Sequence, residues 1–269
     1  YIKDPNGNKI VDFQKSNLHV LNYSIPINKK LTLDELKPHL YSIPSQPDVI
    51  PYRTSYFNED WGFCLSHNKL LELEDGIYEV FIDSTLDNGS LTYSELYLPG
   101  KKTDEVLISC YTCHPSLCND NLSGVVLTTL LAKYLSLIEL NFSYRFLFIP
   151  ETIGSITWLN KNEKKLDKIK HGLVVTCVGD SGRFTYKKTR QGNAEIDKIV
   201  TSILKNSNSD YDVVDFFPFG SDERQFCSPG FNLPIGSLMR TRYGNFPEYH
   251  TSADNLEFVK KESLSDSFL

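Results

Sequence analysis

The chain has 269 residues, 40% of them hydrophobic and 23% charged, with a formal net charge of -6. That size and apolar content support a substantial core in one large domain, or one domain with a smaller insert. The acidic balance excludes a general electrostatic attraction to nucleic acid or anionic membrane, and no apolar run is long enough to span a bilayer. The opening residues "YIKDPNGNKIVDF" lack a basic region feeding an apolar stretch, so no secretory signal is expected in them. The six cysteines are scattered, which fits reduced thiols in a cytoplasmic protein.

In chain order, residues 1–59 read as the start of an α/β domain, with one or two strands in "KIVDFQKSNLHVLNYSIPINKKLT". "TLDELKPHL" is a short helix, since Thr32 can cap it and Glu35 lies three residues on. The proline-rich "YSIPSQPDVIPYRTSY" is a stiff loop. Residues 60–98 read as a small β-rich insert. Its alternating runs flank Asp87-Asn88-Gly89, which is a hairpin signal. The insert is a candidate either to cover a site or to make a homo-oligomer contact.

Residues 99–269 form the main domain. "DEVLISCYT", "YRFLFIP", "HGLVVTCVGD", "YDVVDFF" and "LPIGSLMRT" read as strands. "NLSGVVLTTLLAKYLSLI", "TIGSITWLNKN" and "NAEIDKIVTSILKNS" read as the helices between them. The alternation implies an α/β fold with a mostly parallel sheet flanked by helices on both faces. Ligand sites in such sheets lie beyond the carboxyl ends of the strands.

The polar residues at those ends are His114, Asp120, Glu151, Asp180, Asp222, Glu223, Glu248 and His250. Two imidazoles among several carboxylates suit zinc, which takes nitrogen and oxygen ligands and activates water at an open position. Cys110, Cys113 and Cys118 give an incomplete C-x2-C-x4-C pattern. Neighbouring side chains on a strand face opposite ways, so joint action by Cys113 and His114 is not expected.

The phrases "CHPSLCNDNLSG", "FIPETIGSI", "GSDERQFCSPGFNLP" and "EYHTSADN", in that order, resemble the zinc aminopeptidases of peptidase family M28. The resemblance is closest to bacterial aminopeptidase-like proteins labelled DUF4910 or DUF2172, and it runs from about residue 40 to 260. It implies a zinc exopeptidase fold and cleavage of a peptide or amide bond by metal-activated water, with one or two zinc ions. It also implies that His114 and Asp180 bind one metal, that Asp120 bridges two through a cis Asp120–Asn121 bond, and that His250 holds the second position. Glu151 is then general base or ligand, Asp254 orients His250, and Asp222 supports the site from behind.

Two positions depart from the family pattern. Ser116 stands where a carboxylate usually follows the first histidine, and Pro150 precedes Glu151 where two consecutive glutamates are usual. Glu223 is a candidate substitute for the missing one. A single zinc held by His114, Asp120 and His250 or Asp180 stays open beside a full pair. For substrate, Glu223 and Glu248 can receive a free amine, while Arg240 and Arg242 suit a carboxylate or an anionic sugar. Tyr249, with Tyr243 and Phe246, can wall a pocket. The expected function is a zinc aminopeptidase-like hydrolase. The alternatives are a deacylase or amidase on a modified sugar or amino-sugar precursor, or a catalytically weak metal-binding interaction module.

Overall fold

A four-stranded antiparallel sheet organises the first part of the chain in the computed structural model, which describes all of residues 1–269. Two units divide the molecule. The first holds Tyr1–Ser90 with the short segments Pro115–Leu117 and His250–Asp254, and the second holds the remainder.

The first unit contains β1 (Ile2–Lys3), β2 (Lys9–Val11), β3 (Ile27–Thr32), α1 (Leu33–Leu36), β4 (Leu40–Tyr41), β5 (Phe63–Cys64), α2 (His67–Leu71) and β6 (Ile77–Ile82). The sheet order is β2-β1-β6-β3. β6 alternates, burying Tyr78, Val80 and Ile82 against Leu33, Leu36, Trp61 and Phe63. Thr32 caps α1 as expected. Its hydroxyl accepts the Glu35 N–H, and the Glu35 carboxylate accepts the Thr32 N–H at 2.8 Å.

The expected boundaries need correction here. Residues 1–59 are not the start of the α/β domain, because they share one unit with β6. Nor do residues 60–98 form a separate hairpin insert. β6 pairs with β1 and β3, whereas the next strand, β7 (Ser94–Leu98), pairs with a strand of the second unit. A turn signal is local, but pairing follows the face that can be buried. The buried face of β6 matches the first unit's core.

The second unit begins at β7 and continues with β8 (Glu105–Tyr111), α3 (Ser123–Leu135), β9 (Ser143–Ile149), α4 (Ile153–Asn162), β10 (Ile169–Val175) and β11 (Phe184–Lys187). It ends with α5 (Glu195–Asn206), β12 (Tyr211–Val214), α6 (Glu223–Phe226), β13 (Ile235–Met239) and α7 (Lys261–Phe268). The sheet order is β12-β11-β13-β10-β8-β9-β7. The central four strands are parallel, and β7 and β11 pair antiparallel with β9 and β13. The sheet is therefore mostly parallel, as expected.

β8 is buried on both faces, as a central parallel strand must be when helices cover each side. Leu107 packs with Trp158, Leu159 and Phe226, while its neighbour Ile108 packs with Leu127 and Val175. The segment between β8 and α3 is stitched to the end of β10. Buried Asn121 donates from Nδ2 to the Val175 carbonyl at 3.2 Å and accepts the Cys177 and Gly124 N–H groups on Oδ1 at 3.2 Å each. Asn119 Oδ1 accepts the Gly179 N–H at 2.8 Å, and the Ser123 hydroxyl accepts the Val178 N–H at 3.1 Å.

Gly124 makes this approach feasible. A Cβ there meets the Val175 carbonyl oxygen at 2.6 Å and the Asn121 amide. Backbone cannot move aside as a flexible side chain can, so Gly124→Ala is expected to destabilise the fold by about 1–3 kcal/mol. A lowered urea midpoint with unchanged slope checks this.

Candidate metal centre

β8 ends at Tyr111, and the chain then leaves extended geometry before reaching the one-turn segment Cys118–Leu122. Cys113 and His114 sit on the released stretch, so the alternation expected for a strand does not apply. Cys113 Sγ and His114 Nδ1 are 3.5 Å apart. On the adjoining parallel strand β9, Glu151 follows the last residue by two positions, and its N–H donates to Cys113 Sγ at 3.2 Å. One donor atom each from Cys113, His114 and Glu151 all lie within 4.8 Å of one another.

Asp120 joins the group through Tyr111. The Tyr111 hydroxyl donates to Asp120 Oδ1 and lies 2.6 Å from Thr176 Oγ1, and the Tyr111 ring centroid is 5.1 Å from that of His114. The Asp120–Asn121 peptide is cis, as the resemblance implies. These groups crowd carboxylates into a buried region. Burial and the charges of Asp222 and Asp120 push the Glu151 carboxyl up to about 8 in the metal-free chain, with Ser221 and Arg224 partly offsetting them. Burial pushes Asp222 up to about 6, against hydrogen bonds from Ser155 and Thr152. Burial likewise pushes the Cys113 thiol up to about 12.

The residue after Glu151 is held in a costly conformation. Thr152 has φ 64° and ψ -68°, and the Ile153 N–H donates back to the Glu151 carbonyl at 2.7 Å. This is a γ-turn of the strained hand, on a β-branched residue. Asp222 and Arg224 hold it in place. Asp222 Oδ1 accepts the Thr152 N–H and the Ser155 hydroxyl at 2.7 Å each, and Arg224 Nη2 donates to Thr152 Oγ1 at 2.9 Å. Asp222 thus fixes the turn that follows Glu151.

Other expected site residues take different places. Asp180, expected as a metal ligand, is saturated by its own chain. Its Oδ1 accepts the Gly182 N–H at 2.7 Å and the Thr241 hydroxyl at 2.5 Å, and its Oδ2 accepts from Asn119 at 3.0 Å and the Thr241 N–H at 3.2 Å. Its carboxylate ties two loops together, which leaves little lone-pair capacity for a metal.

Glu223, expected as a substitute glutamate, is fully buried and pairs with the equally buried Lys187 at 2.7 Å. Arg240, expected at the substrate, donates to the Gly182 and Ser263 carbonyls and to Asp266, and stacks 4.4 Å over the Phe184 ring. Its guanidinium is committed to tying α7 to the sheet.

Arg242 has no such anchor. Its guanidinium lies 5.3 Å from the Phe217 ring, and its Nε has no partner within the chain. Glu248 is half-buried, and Tyr249 stands edge-on to Phe246 at 5.4 Å. His250 and Asp254 belong to the first unit, where the His250 carbonyl accepts the Tyr52 N–H at 2.8 Å and Asp254 is buried. Sequence reasoning missed Thr152 and Tyr111. No motif marks a strained turn, and a tyrosine at the end of a buried strand looks like core.

With a mostly parallel sheet and these strand ends, the molecule has the fold of the zinc exopeptidases. A zinc aminopeptidase from Bacillus subtilis has the same fold, with a TM-score of 0.63 at 17% identity over 85% of this chain and 60% of that one. The chain belongs to the family described as domain of unknown function DUF4910, whose profile matches residues 5–269.

A Clostridium acetobutylicum protein, named provisionally for polysaccharide biosynthesis and an aminopeptidase-like domain, is 60% identical over 268 residues. The match covers 100% of this chain and 62% of that protein. A crystal structure of a provisionally assigned peptidase from the same organism has a TM-score of 0.98 at 59% identity, covering 100% of this chain and 63% of that one. The chain thus spans about three fifths of the length of these relatives.

The raised carboxyls set a pH dependence. The folded metal-free chain holds protons on Glu151 and Asp222 that the unfolded chain releases near 4.5 and 3.8. The associated stability is fully present at low pH and is lost as pH rises toward about 8, the folded value for Glu151. Thermal melts of chelated protein at pH 5 and pH 8 are expected to show a lower midpoint at pH 8. Glu151→Gln flattens the upper part of that fall.

Asp222→Ala leaves the Thr152 N–H without its acceptor. It is expected to cost about 1–3 kcal/mol of stability, read as a shift in denaturant midpoint.

Proposed function

We propose that this chain is a zinc-dependent hydrolase of peptide or amide bonds. The observation that carries the reading is the convergence of His114 and Glu151 at the carboxyl ends of adjoining parallel strands, with Asp120 joined through Tyr111. Imidazole and carboxylate donors suit a borderline-soft divalent ion, so the residues fit zinc. Likeness to zinc aminopeptidases supports the same reading at the level of fold.

His114 and Asp120 hold the ion in this proposal. Zinc bound there would polarise a carbonyl and acidify a water. Glu151 accepts the proton of the attacking water at its carboxylate and delivers it to the leaving nitrogen. The strained turn at Thr152 fixes the direction of that carboxylate. Arg242 offers a cation to a substrate carboxylate or another anionic group, and Glu248 and Tyr249 complete the substrate side. In this reading Asp180, Glu223 and Arg240 carry structural loads.

A second reading keeps the chemistry and changes the substrate. The relative named for polysaccharide biosynthesis favours an N-acylated amino sugar as the amide cleaved. Aminoacyl amides and N-acetyl amino sugars, assayed side by side on zinc-loaded protein, separate the two. Release of the free amino acid marks the first and release of acetate the second.

Glu151→Gln is expected to lower turnover roughly 10²–10⁴-fold, while elemental analysis finds zinc still bound. Undiminished turnover in that variant removes Glu151 from the proton-transfer role. A native protein that binds zinc and cleaves neither substrate class supports a binding module instead.

A further inference from the structure

We infer that Cys113 is a metal ligand, its thiolate standing beside His114 in the same coordination shell. The inference rests on the metal-dependent reading above. Three observations carry it.

The first is distance. Cys113 Sγ and His114 Nδ1 are 3.5 Å apart. Two ligands on a tetrahedral zinc, with Zn–S of about 2.3 Å and Zn–N of about 2.0 Å, are separated by roughly 3.5 Å. The two side chains already span one edge of such a shell. Adjacent residues on a strand cannot do this, but β8 ends at Tyr111 and the pair lies beyond it.

The second is the hydrogen bond to sulfur. The Glu151 N–H donates to Cys113 Sγ at 3.2 Å. A backbone donor aimed at sulfur stabilises negative charge there, and partners of this kind orient and tune a ligand. That donor is held by the Thr152 turn, so its direction is fixed.

The third is the supply of anions. Pro150 precedes Glu151, so this loop brings a single glutamate to the cluster. That one carboxylate cannot be both a committed ligand and a free base. Asp180 is saturated by its own chain, and Glu223 is paired with Lys187. A Cys113 thiolate supplies an anionic ligand and leaves Glu151 to carry protons. The thiol proton passes to solvent as the ion binds. A sulfur ligand also tilts the site toward softer ions, so zinc and cobalt are preferred to magnesium and manganese.

Cobalt substitution tests this without reference to activity. Native protein loaded with Co²⁺ is expected to show a thiolate-to-cobalt charge-transfer band in the near ultraviolet together with visible d–d bands. Cys113→Ser loses the near-ultraviolet band and keeps the visible ones, while Cys118→Ser keeps both.

If native protein binds cobalt with visible bands only, Cys113 is a hydrogen-bond partner of His114 and the inference falls, with the metal reading intact. A near-ultraviolet band that survives in Cys113→Ser also overturns it. Native protein that takes up no divalent ion overturns the metal reading and this inference together. Should Cys113→Ser fail to fold, alkylation of native protein decides. Zinc is expected to protect Cys113, but not Cys118, from iodoacetamide, as located by peptide mass spectrometry. Equal labelling of Cys113 with and without bound zinc overturns the inference.

Discussion

Everything at the candidate centre depends on two buried amides. Asn119 and Asn121 close the gap between the loop after β8 and the chain leaving β10, where the backbone has left the sheet and its polar groups need new partners. Each buried N–H or carbonyl without a partner would cost about 1–3 kcal/mol. The asparagines meet the demand because one side chain both donates and accepts. Asn121 does so for Val175, Cys177 and Gly124 at once, and the bare Cα of Gly124 lets α3 begin against the Val175 carbonyl. Asp120, between the two amides, inherits a fixed position without having to hold the loop itself.

A similar division of labour holds around Glu151. The carboxylate expected to move protons is not what holds the turn after it. Asp222 and Arg224 do that through Thr152, and Lys187 with Glu223 anchors the start of α6, on which Arg224 sits. Breaking a buried pair such as Lys187–Glu223 leaves an uncompensated charge, which commonly costs 3–5 kcal/mol. The strain at Thr152 persists because its surroundings over-determine it.

Legibility in the sequence followed the range of the interactions involved. The parallel strands and their helices were readable because their apolar runs and periodicities are local. The places of His114, Asp120 and Glu151 beyond buried strands are readable in the same way. The same signal marked Asp180, and only the three-dimensional partners, Asn119, Gly182 and Thr241, distinguish a saturated carboxylate from an available one. The partners of Arg240 are equally hidden, since Ser263 and Asp266 lie more than twenty residues away. The first unit was misread because its sheet joins strands from residue 2 to residue 82, whereas the Asp87-Asn88-Gly89 signal is a matter of three residues. Strand alternation argues against joint action by Cys113 and His114, but that rule lapses where β8 ends.

The charge balance explains why so acidic a cluster is tolerable. Asp120, Glu151, Asp222 and Glu223 come together in buried surroundings, and only Lys187 and Arg224 are committed among them as cations. In a medium of low polarity, like charges this close raise one another's affinity for protons, as Glu151 and Asp222 display. Protonation is one remedy, and it leaves Glu151 useless as a base at neutral pH. A divalent cation is the other. It favours the ionised carboxylate and the thiolate by the same electrostatics that disfavoured them, and so inverts the local order of proton affinities. The anionic crowding that costs the metal-free chain stability at neutral pH is thus the feature that would make it bind a metal tightly and then act as a base beside it.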